Sequence, residues 1–176
     1  MKRMIIALVL VLLMVFALAA CGEGGAAEDP NAAYYGTYNL IMVKMGPLVA
    51  TPTDMGVFEG ASVELQADGK AIFNDGESAE DTTYTIEGSN FTLVESDTEF
   101  KGTIENDTLT LAITAETLGG EGDAEAMTMY FGKDGTDAVQ ALEDELAAAG
   151  TFEEQLDSMD MDQLQQFIED YSYLMG

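Results

Sequence analysis

The chain lacks most of the side chains from which active sites are built. It has no histidine, no tryptophan and a single cysteine, Cys21, in 176 residues. Without histidine or a second thiol, the usual nucleophile–base pairs cannot be assembled. A zinc site would need carboxylates alone, an unusual ligand set. One cysteine also rules out an intrachain disulfide. Positive charge is almost as scarce: Lys and Arg number 6 against 33 Asp and Glu. Lys2 and Arg3 stand at the extreme N-terminus, which leaves Lys44, Lys70, Lys101 and Lys133. Beyond residue 20, those four lysines face all 33 acidic side chains, a net charge of −29. This argues against nucleic acid as a partner, because phosphates are neutralised by Lys and Arg. It argues equally against adhesion to an anionic membrane face through basic residues. The plain reading of so many acids is solubility; the alternative is attraction of cations or of a basic partner. A carboxylate pair of the glycosidase kind is formally available, but where carboxylates are this abundant no pair stands out. An enzyme is not expected.

What the chain does have begins at its N-terminus. After Lys2 and Arg3, Met4 to Ala20 is an unbroken apolar run of 17 residues. A spanning helix needs about 20. The run closes in small residues, as a signal-peptide cleavage site requires. Leu18-Ala19-Ala20-Cys21 resembles the lipobox of bacterial lipoprotein signal peptides. The resemblance implies a diacylglycerol on the Cys21 thiol and cleavage between Ala20 and Cys21. It assigns residues 1–20 to the signal peptide, expected as a helix. It also places the mature protein on the extracytoplasmic face of the cell membrane, anchored by lipid. Each buried methylene contributes about 0.8 kcal/mol, so two acyl chains hold a protein stably. The other reading of the run is an uncleaved anchor beside a chance cysteine.

Residues 21–33 come next as the lipidated cysteine and a small, polar, pattern-free linker. From Tyr34 the hydropathy switches to period two. Gly36 to Met45 reads as a first strand with apolar residues on both faces, Tyr38, Leu40 and Met42 on one and Ile41, Val43 and Met45 on the other. Such a strand needs cover on both sides. Thr51 or Thr53, with Pro52, caps a short helical turn. Short strands then succeed one another over 62–66, 70–73, 82–87, 90–95, 99–105 and 108–114, with a last one over 124–131. Asp68-Gly69, Gly88-Ser89 and Asn106-Asp107 mark the turns between them. Thr alternates with Leu, Ile or Phe along these strands, the pattern of a sheet wet on one face. Thr85-Ile86-Glu87 with Phe91-Thr92-Leu93 recurs 18 residues later as Thr103-Ile104-Glu105 with Leu109-Thr110-Leu111. One repeat is one hairpin, so the pattern is an up-and-down meander.

The fold class is therefore mainly β. About eight antiparallel strands form a meander that closes first strand to last, since closure removes sheet edges. The Gly36-Thr37-Tyr38 start, the acidic hairpins and the closing Met127-Thr128-Met129-Tyr130-Phe131 resemble the small lipocalin-like domains of bacterial surface lipoproteins. Tyr38 stands where the lipocalin Gly-x-Trp has its Trp. The resemblance covers residues 34–133 and implies a small barrel able to hold a ligand.

Residues 134–176 form an acidic helical extension. Asp137 to Ala149 reads as a helix capped by Asp137, with Val139, Leu142 and Leu146 as its stripe. Thr151 with Glu154 starts a second helix and Asp160 with Gln163 a third. Leu164, Phe167, Ile168, Tyr171 and Leu174 share one face of the third. These stripes either pack on the barrel, over a mouth or the outer face of the first strand, or bind a partner. Oxygen-rich calcium candidates are Glu121, Asp123 and Glu125, or Asp134 and Asp137, though Asp/Gly pairs more often mark turns. Met127 with Met129, and Met159 with Met161, have thioether spacing for copper, but in a strand that spacing simply marks the inward face. No cofactor and no metal is expected. The functional expectation is a non-enzymatic, membrane-anchored lipoprotein that binds a small apolar ligand or a protein partner. The alternative is an envelope-interaction protein with a solid core, working through its acidic surface and C-terminal helices. Cys21→Ser should abolish lipid attachment; a variant that still partitions into detergent after signal removal would contradict the lipobox reading.

Overall fold

The computed structural model describes residues 29–96, 98–114, 117 and 125–171. The signal run and the expected signal helix lie outside them. The chain divides into two compact units, residues 1–30 and 31–176.

Among the described residues, the second unit contains nine strands: β1 (Gly36–Met45), β2 (Leu48–Ala50), β3 (Ser62–Leu65), β4 (Lys70–Asn74), β5 (Ala79–Glu87), β6 (Asn90–Glu95), β7 (Thr98–Glu105), β8 (Thr108–Thr114) and β9 (Glu125–Lys133). Every pairing is antiparallel, and consecutive strands from β3 to β9 pair in turn. β1 closes the circle by pairing with β9 on one side and β3 on the other. The architecture is an eight-stranded barrel with β2 as an extra strand.

Turn chemistry sets the hairpins. Asn106 and Asp107 both adopt positive φ, 51° and 60°, as do Asp68 at 61° and Gly69 at 69°. Two successive left-handed residues match the right-handed twist of the flanking strands. These turns lie at the end of the barrel where β1 begins. There the backbone amide of Lys133 donates to the Asp107 carbonyl (2.8 Å) and that of Asp134 to the Thr37 carbonyl (2.8 Å).

The alternating apolar residues of all these strands meet inside the barrel. Val63, Leu93, Leu109 and Phe131 are fully buried there. Tyr84 and Phe91 stack with ring centroids 5.7 Å apart. The buried hydroxyls have partners: Tyr38 donates to the Tyr34 carbonyl (2.9 Å) and Tyr84 to the Gln66 carbonyl (2.9 Å). Burial, reinforced by the nearby charge of Asp107, pushes the Tyr38 phenol far above its ordinary range.

Strict alternation fails in β1. Its register with β9 shifts between Leu40 and Met42, which leaves Ile41 as an extra residue. A bulge of this kind reverses the face of every residue beyond it. Tyr38, Leu40, Val43 and Met45 consequently share the core, and Met42 does not belong to it. The expected grouping of Tyr38, Leu40 and Met42 on one face is corrected accordingly. Met42 is nonetheless buried, as are Leu48, Ala138 and Leu142, none of them in the barrel core.

The cover over this outer face is helical. A capped turn, α1 (Pro52–Met55), precedes β3, with Thr51 as the cap. The C-terminal extension forms α2 (Asp137–Ala149), α3 (Phe152–Ser158) and α4 (Met161–Tyr171). The N-cap of α2 is Thr136, whose hydroxyl accepts from the Ala138 amide, and not Asp137 as expected. The hydroxyl of Thr136 sits one residue earlier, where the backbone is still extended, as a cap requires. α2 packs against β9 and β1 and touches β2. Gly132 makes this approach feasible, because a Cβ there would lie 3.0 Å from Val139. α3 covers the free edge of β2 with a side chain: the Val49 amide donates to Oε1 of Gln155 (2.8 Å), and Gln155 Nε2 donates to the Val49 carbonyl (2.8 Å). An amide side chain there stands in for a neighbouring strand and blunts the edge. Phe152 of α3 and Phe167 of α4 pack against the barrel core.

Leu142 is 6% exposed, so Leu142→Ala should remove about 2–3 kcal/mol of stability, as buried leucines commonly do. Urea unfolding measures this; an unchanged midpoint would show that α2 does not cover the barrel.

Candidate functional site

Cys21, the residue expected to carry the lipid, lies outside the described residues, as does all of Leu18-Ala19-Ala20-Cys21. Among the described residues no helix is long and apolar enough to cross a membrane. Of the calcium candidates, Glu121 and Asp123 are outside the described residues, and Asp134 and Asp137 are exposed. Among the described residues, no three His, Cys, Asp or Glu side chains gather to hold a metal ion. The two thioether pairs separate: Met127 and Met129 are buried in the core, whereas Met161 is 79% exposed.

Three features of the outer surface and rim remain. The first is a groove of about 570 Å³ across β4, β5 and β6, lined by Gln66, Lys70, Ala71, Asp81, Thr82, Thr83, Val94 and Ser96. It arises because β5 and β6 pair only between Thr83↔Val94 and Glu87↔Asn90, although β5 begins at Ala79. Beyond Val94 the strands part, and the Thr82 hydroxyl reaches across to donate to the Val94 carbonyl. Thr82 thereby satisfies its own burial and pins the point of divergence.

The second is a pair of carboxyl groups above that point. Glu80 lies opposite Phe73 in the register, and Glu95 lies two residues beyond buried Leu93. Both therefore occupy core-facing positions at the rim, where an apolar residue would continue the pattern. Burial lifts the Glu95 pKa above its ordinary value, and the facing charge of Glu80, a hydrogen bond to it and the charge of Asp75 add to the effect. The signal was present in the sequence: a glutamate on an inward beat of an otherwise apolar strand.

The third is a mostly apolar hollow of about 350 Å³ between the Gly46-Pro47 turn and the C-terminal helices, lined also by Met159, Asp162, Gln163, Gln166 and Phe167. Of the stripe expected along the last helix, Phe167 lines it. Leu164 and Phe167 are half-buried, while Ile168 is 48% exposed.

Two lysines serve the frame. Lys44 donates to Glu145 of α2 at 2.6 Å and lies 4.7 Å from the Tyr130 ring centroid. Its partial burial opposes the charge, but the Glu145 bond and Tyr130 outweigh this and hold its pKa above the ordinary lysine value. Lys133 Nζ donates to the Ala33 carbonyl (2.7 Å), lies 3.7 Å from Asp107 and stands over the Tyr38 ring.

Compared with protein-family models, curated proteins and solved structures, the chain matches none. Its own residues are the only guide to its function.

The raised Glu95 pKa has a definite sign for stability. The folded state holds this proton more tightly than the unfolded chain does, so stability falls as pH rises from the ordinary glutamate value through the raised one. Glu95→Gln removes that loss. Its melting temperature should exceed wild type by more at about pH 8 than at about pH 5; an equal difference at both would show that Glu95 is not the titrating group.

Proposed function

We propose that the chain is a membrane-anchored, extracytoplasmic bacterial lipoprotein of the non-enzymatic binding type, and that it presents a solid lipocalin-like barrel to a protein partner. The lipid anchor rests on the lipobox resemblance at Leu18-Ala19-Ala20-Cys21 and on the isolation of that single cysteine. The barrel order of the strands and the Gly36-Thr37-Tyr38 start support the lipocalin-like reading.

One observation carries the choice between the two modes of binding. The interior is occupied by the protein's own side chains. Tyr38, Phe91, Phe131, Leu93, Met127 and Met129 are each at most 2% exposed and belong to one connected cluster. Small eight-stranded barrels can be filled in this way. Large aromatic and methionine side chains at inward positions take the volume that a small apolar ligand would need. Binding then falls to the outer surface and the rim, where the groove, the carboxylates and the apolar hollow lie. The absence of histidine and of a second cysteine supports a non-enzymatic role.

Native mass spectrometry of protein extracted from its own host membrane tests both parts. The expected spectrum shows the mass of a diacylated Cys21 with no small molecule bound in stoichiometric amount. A one-to-one apolar ligand would overturn the solid-core reading, and an unmodified Cys21 would overturn the anchor.

A further inference from the structure

We propose that the free edge of β5 from Ala79 to Thr82 is a docking site for an extended protein segment, which adds to the barrel wall as a further strand with Lys or Arg opposite Glu80. The proposal rests on the partner-binding reading above and deepens it by naming the surface and the chemistry of the partner.

The phase of the ladders supplies the first argument. Along a strand in an antiparallel sheet, the backbone groups of successive residues point to opposite neighbours. The Asp75 amide donates to the Ser78 carbonyl (3.1 Å) across the turn from β4 to β5. Counted in twos from Ser78, Glu80 and Thr82 direct their N–H and C=O groups at β4, where Phe73 and Ala71 lie opposite. Ala79, Asp81 and Thr83 direct theirs towards β6. The other end of β5 gives the same phase. Gly88-Ser89 is a two-residue turn, which makes Glu87↔Asn90 a hydrogen-bonded pair, followed by Thr85↔Thr92 and Thr83↔Val94. The pairing of β5 with β6 stops there. Among the described residues, no strand pairs with the β6 side of Ala79 and Asp81, and both residues are exposed. β6 ends at Glu95 and the chain turns back into β7 at Thr98. The groove of about 570 Å³ opens beside this edge, lined by Asp81 and Thr82 of β5 and by Val94 and Ser96. Unpaired N–H and C=O groups along a strand edge are a template for another strand.

Local charge selects the strand. Glu80 faces the half-buried Glu95 across the opening, and the charge of Asp75 acts on the same point. A residue directly opposite Glu80 on an added strand shares its face of the sheet. It enters beside the two carboxyl groups, where Lys or Arg is favoured. On the outer face Lys70 and Asp81 both line the groove. The alternate positions of the added strand therefore carry no preferred sign and suit a β-former such as Thr. A second copy of the chain, pairing through its own β5 edge, would bring another Glu80 and Asp81 to the contact, and like charges facing each other across a sheet are destabilising.

The test uses the full lipidated chain in phosphatidylcholine nanodiscs, with empty nanodiscs as blank. The probe is a short synthetic peptide alternating Thr and Lys. It should bind, and a Thr/Glu peptide should bind at least about tenfold more weakly. Two N-methylated forms of the Thr/Lys peptide separate main chain from charge. With Lys opposite Glu80, the Thr residues lie opposite Ala79 and Asp81 and make the bonds to β5. Methylation of the Thr amides should cost about tenfold in affinity, and methylation of the Lys amides less than about twofold. Equal binding of the two forms, or of the Thr/Lys and Thr/Glu peptides, would overturn the proposal. In the protein, Asp81→Pro removes an N–H aimed at the groove and no bond to β4. Compared with Asp81→Asn, which has the same charge, it should keep the melting temperature and bind the Thr/Lys peptide about tenfold more weakly. Equal binding by these two variants would overturn the proposal; should Asp81→Pro fail to fold, the methylated peptides decide. Native mass spectra of the same samples report on the other occupants. Paired chains in Asp81→Asn that are lost in Asp81→Pro would make the occupant a second copy and overturn the proposal. A stoichiometric small ligand would defeat the solid-core reading and leave the peptide result standing.

Discussion

The pairing of β1 with β9 is the constraint on which the rest of the structure depends. It joins the first strand of the barrel to the last and turns an eight-stranded meander into a closed surface. Closure removes the edges at which an open sheet invites aggregation. It also gives every inward side chain neighbours on all sides. β1 is suited to this by being long and apolar on both faces, since it must serve three neighbours. β3 pairs with its first half, β2 with its last residues, and β9 with its middle. The bulge at Ile41 lets one strand do both jobs: before it the strand lines the interior with Tyr38 and Leu40, and after it Met42 turns outward beneath helical cover.

That outward turn explains why the C-terminal extension belongs to the fold. Met42 is a buried apolar side chain outside the barrel core, and α2, which carries the buried Ala138 and Leu142, packs against β1 and β9. Exposed ion pairs contribute little energy, about 0–1 kcal/mol each. The lysines act instead by position. In a chain so poor in cations, Lys44 sits at the junction of β1 with α2 and Lys133 at the junction of β9 with the Ala32–Tyr34 turn. Each also stands over a tyrosine ring. The scarce positive charges tie outer elements to the barrel wall, and the remaining acidic surface faces solvent.

The barrel interior is taken by side chains such as Tyr38, Phe91, Phe131, Met127 and Met129. On its outside, exposed threonines such as Thr83, Thr85 and Thr103 alternate with charged side chains such as Asp81, Glu87 and Glu105. Among the described residues, Met161 and Ile168 of α4 are large apolar side chains left in water. Glu95 is a half-buried carboxyl at the rim, a local conflict where β5 and β6 separate and the core pattern stops.

Much of this was legible in the residues alone, because it rests on local chemistry. Period-two alternation identifies strands whatever surrounds them, and Asn106-Asp107 or Thr151 with Glu154 specify a turn or a cap within a few residues. The closed barrel, the helical tail and the burial of Met127 and Met129 arise from such signals. The short β2 escaped notice because three residues after Gly46-Pro47 carry too little pattern. The cap of α2 shifted from Asp137 to Thr136 because two good capping residues stand side by side, and only the backbone angle separates them. The Ile41 bulge could not be read at all: it depends on register against β9, some ninety residues away. The partition of the α4 stripe into a half-buried Phe167 and an exposed Ile168 is likewise a tertiary decision, set by where the Gly46-Pro47 turn meets the helix. Sequence determined the periodicity, the turns, the charge and the single cysteine, all of them local properties. Tertiary structure alone decided which faces met, because register and packing are relations between segments far apart in the chain.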